Sequence, residues 1–334
     1  MLKSEMMEML DILKKQGYHI VGNHSAVKRC KWFKESMIGN GTCYKNKFYG
    51  IKSHQCVQST CALQFCSQSC IFCWRTMTDD LGLKFNEQPS KKFVWDKPDQ
   101  ILDGLLKEQL RFVSGYKGNN KTKEKILKEA SNPKLLTLSL AGEPTIYPNL
   151  VELILSAKKR GMIVFLVTNG TFPEALKKLA EKNALPQQLY VSFDASNREV
   201  YEKTCKPSEK KLWDKYLETL DFINSIKGKT RTVLRMTLVR NQNFCCADEY
   251  AELIKKAQPD YVEIKSFVFV GGARNPNRKL KLSDMLKMEE IKEFTKDLEK
   301  LTKYKFVDEH IPSRVTLLCR DKNVLANRKE LQKL

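Results

Sequence analysis

The sequence predicts an α/β protein. Six βα repeats form a partial barrel of parallel strands, with an N-terminal cysteine-bearing extension before it and a C-terminal tail after it. Three observations carry this expectation. From residue 130 onward, short β-rich runs alternate with helix-like stretches. The runs are apolar on both faces, as parallel strands covered on both sides must be. Several of them end in Gly, Asn, Asp or Glu, on the rim where such folds bind ligands.

Residues 1–16 read as a helix, followed by a mixed basic segment to residue 50 that carries Cys30 and Cys43. A strand is expected around 51–58, directly ahead of a cysteine cluster. Residues 99–132 read as a Lys-rich helical excursion, broken at Gly115-Tyr116-Lys117-Gly118-Asn119-Asn120. Strands follow at 135–140 (LLTLSL), 162–168 (MIVFLVT), 188–194 (QLYVSFD), 231–239 (RTVLRMTLV) and 261–270 (YVEIKSFVFV). Helices are expected at 149–160, 173–182, 211–226, 247–257 and 284–303, and the tail 304–320 reads as extended. The organisation implied is an extension over 1–50, a (βα)6 core over 51–275 with its basic insertion near 99–132, and a C-terminal segment over 276–334. Three strand ends stand out: Ala141-Gly142-Glu143-Pro144, Asn169-Gly170, and Asp194. Each alone is ordinary turn chemistry; together on one rim they indicate a site.

Composition narrows the class. At 334 residues and 42% hydrophobic, the chain can bury a sizeable core. No apolar run approaches the roughly 18 residues of a membrane span, and the acidic N-terminal segment has no signal-peptide h-region. A soluble cytoplasmic protein without membrane association is expected. The formal net charge of +20 suits a polyanionic partner, although lysines spread along the whole chain locate no binding face. Seven of the eleven cysteines, Cys30 to Cys73, fall within 44 residues. An odd count in such a chain argues for metal or catalytic thiols rather than a disulfide framework.

Cys66-Ser-Gln-Ser-Cys70-Ile-Phe-Cys73 is a C-x3-C-x2-C loop directly after the first strand. Three thiolates can bind three irons of a [4Fe–4S] cube and leave the fourth iron open to a small molecule. A zinc knot is the alternative, and it would need a fourth ligand from Cys61 or His54. The spacing resembles that of radical S-adenosylmethionine (SAM) enzymes. By that resemblance Gly142 and Glu143 would meet the SAM amino group, a carboxylate suiting an ammonium. Asn169 and Ser192 would reach its ribose or carboxylate, while Asp194 holds a turn or bonds a neighbour. Upstream, Cys30, Cys43 and Cys56 stand 13 and 13 residues apart. These intervals are too long for one metal knuckle but compatible with a second cluster.

Gly17 to Trp32 (GYHIVGNHSAVKRCKW) and Cys70-Ile-Phe-Cys73-Trp74-Arg75 resemble the tRNA 4-demethylwyosine synthases of wybutosine and wyosine biosynthesis. So do Trp95-Asp96-Lys97-Pro98, Gly115-Tyr116-Lys117-Gly118-Asn119, Ser139 to Thr145 and Phe267 to Gly271. The resemblance runs from about residue 17 to 320. It implies a carbon–carbon lyase-class enzyme that condenses N1-methylguanosine at position 37 of tRNA-Phe with two carbons of pyruvate. It implies two [4Fe–4S] clusters, SAM, pyruvate as co-substrate, and a second cluster on Cys30, Cys43 and Cys56. Lys45, two residues after Cys43, matches the family lysine that can form a Schiff base with a 2-oxo acid. The chain resembles the short archaeal form, which implies an external electron donor; a monomer is expected. Cys61 has no counterpart in the family pattern, and Cys205, Cys245, Cys246 and Cys319 are taken as structural. Residues 99–132, Arg274–Lys281 and Arg314 are candidate tRNA contacts. A radical SAM enzyme with an auxiliary cluster, acting on another RNA or on a peptide, is the alternative.

Overall fold

The computed structural model describes residues 2–82 and 88–329. Residues 330–334 of the expected C-terminal segment, and Met1, lie outside the described residues. Helix α1 (Leu2–Lys15) leads into a hairpin of β1 (Tyr18–Val21) and β2 (Ser25–Lys28), and two short helices follow, α2 (Lys31–Met37) and α3 (Tyr44–Tyr49). Then come β3 (Cys56–Thr60), α4 (Pro98–Ser114), α5 (Glu124–Ala130), β4 (Leu135–Leu138), α6 (Leu150–Lys159) and β5 (Ile163–Thr168). The chain continues through α7 (Pro173–Glu181), β6 (Gln188–Ser192), α8 (Arg198–Cys205), α9 (Leu212–Ser225), β7 (Arg231–Leu238), α10 (Ala247–Ala257) and β8 (Tyr261–Ser266). It ends with α11 (Met288–Thr302), β9 (Lys305–His310), β10 (Val315–Cys319) and α12 (Lys322–Ala326).

The six expected parallel strands are β3 to β8, paired in sequence order. The sheet extends beyond them at both edges, in the order β1-β2-β3-β4-β5-β6-β7-β8-β10-β9. The hairpin pairs antiparallel onto β3, and the tail returns antiparallel onto β8. The strand expected at 51–58 is shifted: Ser53–Gln55 form a single 3-10 turn, and the strand begins at Cys56. The polar Ser53 and His54 are buried in that turn, where Ser36 and Glu129 bond the imidazole.

Strands apolar on both faces serve two cores. In β5, Val164 and Leu166 pack outward against the helices, in one cluster with Leu153, Ile154 and Leu176. Ile163, Phe165 and Val167 point into the concave side. There α3 fills the barrel: Tyr49 packs edge-on against Tyr190 of β6 and Tyr261 of β8, and Phe48 is fully buried beside it. Gly50, at φ 79°, ends α3 in a left-handed cap and frees the chain to turn into β3. The C-terminal strand ends thus form the rim that carries the cysteine loop, while α3 fills the lumen behind them.

Candidate active site

The C-x3-C-x2-C loop leaves the C-terminal end of β3 and is tied down along its length. Ser69 N donates to Lys206 O and Ile71 N to Thr204 O, both at 3.0 Å, and Ser208 N donates to Ser67 O at 2.9 Å. Gln68 bridges to Pro207, and its amide donates to the Tyr201 hydroxyl at 2.7 Å. Asn169, just beyond β5, donates to Ser67 Oγ at 2.8 Å and lies 3.9 Å from Cys66 Sγ. On the far side the Arg278 guanidinium bonds the carbonyls of Cys73 and Arg75 and pairs with Asp80. The loop is therefore held by β5, by the end of α8 and by the segment after β8. Cys66, Cys70 and Cys73 all keep accessible surface.

The rim residues divide. Gly142 sits at φ 72°, where a Cβ would meet Ala62 O at 1.8 Å and Phe65 O at 2.7 Å. Only glycine lets the β4 turn approach the cysteine loop this closely. Glu143, expected to meet the SAM amino group, accepts four hydrogen bonds from within the protein. One oxygen accepts from Thr145 N at 3.0 Å, Thr145 Oγ1 at 2.5 Å and Thr168 Oγ1 at 2.6 Å, and the other accepts from Asn169 N at 2.7 Å. Full burial raises its carboxyl while these donors oppose the rise. It clamps the ends of β4 and β5 together. Ser192 faces the lumen at the end of β6, half-buried. Asp194 accepts from Thr237 N at 2.6 Å, and burial pushes its carboxyl up to about 7.

The second trio gathers at the other end of β3, about 13 Å of strand away. Cys30 caps α2, its sulfur accepting from Phe33 N at 3.2 Å. Cys43 stands at the N-terminus of α3, and Cys56 opens β3, 3.3 Å from Thr137 Oγ1. The three thiols and Lys45 act on one another electrostatically. Burial pushes Cys43 up to about 12 and Cys56 up to about 11, with Lys45 opposing both. Such thiols ionise when a cation coordinates them. Lys45 is 9% exposed, and its Nζ lies 4.3 Å from the Tyr190 ring centroid and 5.4 Å from that of Phe165. Burial and then Arg235 hold its amine below the usual lysine range, while Glu263, Cys43 and Cys56 oppose them.

Among the described residues, no three His, Cys, Asp or Glu side chains converge tightly enough for a single metal ion. Each trio offers three thiols, the number that binds three irons of a [4Fe–4S] cube and leaves the fourth open. The zinc alternative finds no fourth ligand where it was sought. Cys61 is fully buried and turned 3.8 Å from Pro144 O, and His54 is engaged by Ser36 and Glu129.

Sequence reasoning missed two features. The Cys205 thiol, taken as structural, bonds Cys70, and with burial this holds Cys70 far above the usual thiol range. Arg235, Glu263 and Lys265 project into the lumen beside Lys45. A signal for them was present: charged residues at alternate positions of the apolar strands RTVLRMTL and YVEIKS mark a polar inner face. Two candidate tRNA contacts face inward instead. Arg278 is consumed by the cysteine loop, and Arg314 is half-buried, lying 3.4 Å from Leu286 O.

The Radical SAM superfamily matches residues 62–254, and Wyosine base formation matches residues 256–320. The S-adenosyl-L-methionine-dependent tRNA 4-demethylwyosine synthase of Pyrococcus horikoshii is 42% identical over 94% of this chain and 89% of its own. That of Methanocaldococcus jannaschii is 38% identical over 93% of this chain and 95% of its own. A solved structure of TYW1 with a lysine–pyruvate adduct bound superposes with a TM-score of 0.82 at 37% identity, covering 94% of this chain and 95% of that one. The superfamily match brings SAM and one [4Fe–4S] cluster with it. No helix among the described residues is long and apolar enough to cross a membrane. The chain belongs to the S-adenosyl-L-methionine-dependent tRNA 4-demethylwyosine synthases.

Proposed function

We propose that this chain converts N1-methylguanosine at position 37 of tRNA-Phe into 4-demethylwyosine with two carbons of pyruvate, as a cytoplasmic monomer served by an external electron donor. The reading extends to a second [4Fe–4S] cluster on Cys30, Cys43 and Cys56, carried partly by the 1–50 extension. One observation supports it above the others: Lys45 stands in the lumen with Cys43 and Cys56 beside it, behind the rim that carries Cys66, Cys70 and Cys73. The lysine–pyruvate adduct belongs to a relative's structure, and Lys45 is the residue proposed to form it here.

Cys66, Cys70 and Cys73 would hold the SAM-binding cluster, which when loaded supplies a carbon-centred radical at the rim. Gly142, close against the carbonyls of Ala62 and Phe65, and Glu143, held by Thr145, Thr168 and Asn169, would line the SAM side of that site. Asn169 orients the Cys66 side of the loop, and Ser192 offers a hydroxyl on the lumen side. Lys45 attacks C2 of pyruvate, forming the C–N bond while the carbonyl oxygen leaves as water. Aromatic walls from Phe165 and Tyr190 shield the amine from bulk solvent. A guanine stacked in the anticodon arm cannot reach this lumen, so it must turn out of the stack and enter from the rim.

The test is one anaerobic incubation of reconstituted protein, dithionite, SAM and tRNA bearing N1-methylguanosine at position 37, with and without pyruvate. Nucleoside mass spectrometry should show pyruvate-dependent replacement of N1-methylguanosine by a tricyclic nucleoside two carbons heavier. Cleavage of SAM with an unchanged base would overturn the substrate and favour action on another RNA or a peptide.

A further inference from the structure

We infer that Arg235 seats the carboxylate of the 2-oxo acid held by Lys45, so that the two cations bracket one small anion beside Tyr190. The inference rests on the proposed imine at Lys45 and adds the group that selects its substrate.

Tyr190 is fully buried in β6. Lys45 Nζ lies 4.3 Å from its ring centroid, and the Arg235 guanidinium carbon lies 5.7 Å from the same point. Arg235 reaches there from β7, in register with Ser192 on one side and Glu263 on the other. It lies deep in the barrel, yet part of its side chain stays accessible, as in a group that lines an internal space. The Tyr44 hydroxyl rests against it, and Glu263 and Asp194 lie farther off. Among the described residues, no carboxylate comes within the 4.0 Å ion-pair distance of Arg235. Arg240, by contrast, is gripped by both oxygens of Glu290 at 2.5 and 2.6 Å.

The other polar groups of the lumen leave this seat open. Glu263 is fully buried; one oxygen accepts from Tyr49 at 2.7 Å, and the other has no hydrogen-bond partner. Lys265 donates to Ser266 O at 2.9 Å. Lys45, Arg235 and Lys265 therefore stand together in the lumen, and Glu263 acts on all three without forming an ion pair with any of them. Buried charges left without a close partner are costly, and a bound anion relieves that cost. A guanidinium offers two parallel N–H donors to a carboxylate, which an ammonium cannot.

Two ligands of the proposed reaction carry a carboxylate: the 2-oxo acid and the methionine part of SAM. The ring shared with Lys45 favours the 2-oxo acid, and the register with Ser192 makes SAM the competing source.

The experiment is reductive trapping in the reconstituted holoenzyme. Cyanoborohydride delivers hydride to C2 of the imine, and peptide mass spectrometry counts modified Lys45 against pyruvate concentration. Acetone, a ketone without a carboxylate, is the parallel probe. Arg235→Gln should raise the pyruvate concentration for half-labelling at least tenfold. Arg235→Lys should recover part of that loss, and acetone labelling should match wild type in both variants. The inference is overturned if the pyruvate curve does not move. It is also overturned if acetone labelling falls equally, or if only the SAM concentration for half-saturation rises. Lys45→Ala separates the two readings. If the variant still acquires adduct at wild-type level, the imine reading itself fails; if adduct vanishes there but Arg235→Gln tracks wild type, the Arg235 seat alone is wrong.

Discussion

His24 shows how one buried side chain fixes the root of the cysteine loop. It is fully buried, with Nδ1 2.7 Å from Cys61 O and Nε2 accepting from Asp96 N at 2.9 Å. This pairing demands the neutral ring with its proton on Nδ1, because a proton on Nε2 would face the Asp96 N–H. Burial accordingly lowers the pKa of His24 below 6.5, with the Asp96 carboxylate pulling the other way. A histidine with a depressed folded pKa contributes stability that is complete above its unfolded value near 6.5 and is lost as pH falls through the folded value. Wild type should therefore lose melting temperature below pH 6.5 more steeply than His24→Gln, in paired scans between pH 5 and 8. Because His54 titrates in both proteins, the difference between the scans isolates His24. Each unit of pKa shift corresponds to about 1.4 kcal/mol. At pH 7.5, His24→Ala should cost about 2–3 kcal/mol, since the buried Cys61 carbonyl and the partly buried Asp96 N–H lose their partners. Parallel pH profiles for wild type and His24→Gln would refute the assignment.

At the scale of elements, the turn after β4 carries the sharpest geometric demand. Gly142 and Gly161 both have left-handed φ, at 72° and 69°, but a Cβ at Gly161 meets nothing within 4 Å. Gly161→Ala should therefore cost only the backbone term, about 1–2 kcal/mol, and leave iron content unchanged. Gly142→Ala adds a collision with two carbonyls of the cysteine loop. It should cost well over 3 kcal/mol and reduce iron per chain in the reconstituted protein. Equal melting points and iron content for the two variants would show that the close approach does not matter. The same contrast explains which elements were legible. The strands from 135 to 266 could be read because β4 to β6 are apolar on nearly every position and β7 and β8 on their outer face, and the Gly142 turn because glycine and proline punctuate it. The hairpin of β1 and β2 was not read: its strands have four residues each and mix polar with apolar positions. The return of β9 and β10 onto β8 depends on a pairing partner more than forty residues away, which local pattern does not carry. Glu143 lies in the turn after β4. Two of its hydrogen-bond donors, Thr168 and Asn169, come from the end of β5, which spacing alone does not reveal.

At the scale of the whole molecule, the surplus of positive charge divides into an inner and an outer population. Arg235, Lys45 and Lys265 face the lumen, and Arg278 and Arg320 are consumed in partly or fully buried pairs with Asp80 and Asp260. Most remaining lysines are exposed, and many of their ion pairs are surface pairs worth little to stability. Lys107, Arg111 and Lys117 line a shallow hollow of about 600 Å³ on the outer face of α4. The two populations should answer to salt differently. Exposed cations that meet phosphates release counterions, so tRNA affinity should fall about 10³-fold or more between 50 and 200 mM salt if some six phosphates are engaged. Lys45 and Arg235 lie where screening is weak, so half-labelling of Lys45 by pyruvate should shift less than twofold over the same range. Replacing Lys107 and Lys117 with Ala should lower the slope of log affinity against log salt by up to about two, if α4 touches the tRNA backbone. An unchanged slope would move the RNA-binding face away from the 99–132 insertion and onto the rim. A pyruvate curve as salt-sensitive as tRNA binding would mean that the lumen is open to bulk ions, contrary to the burial of Lys45 and Glu263.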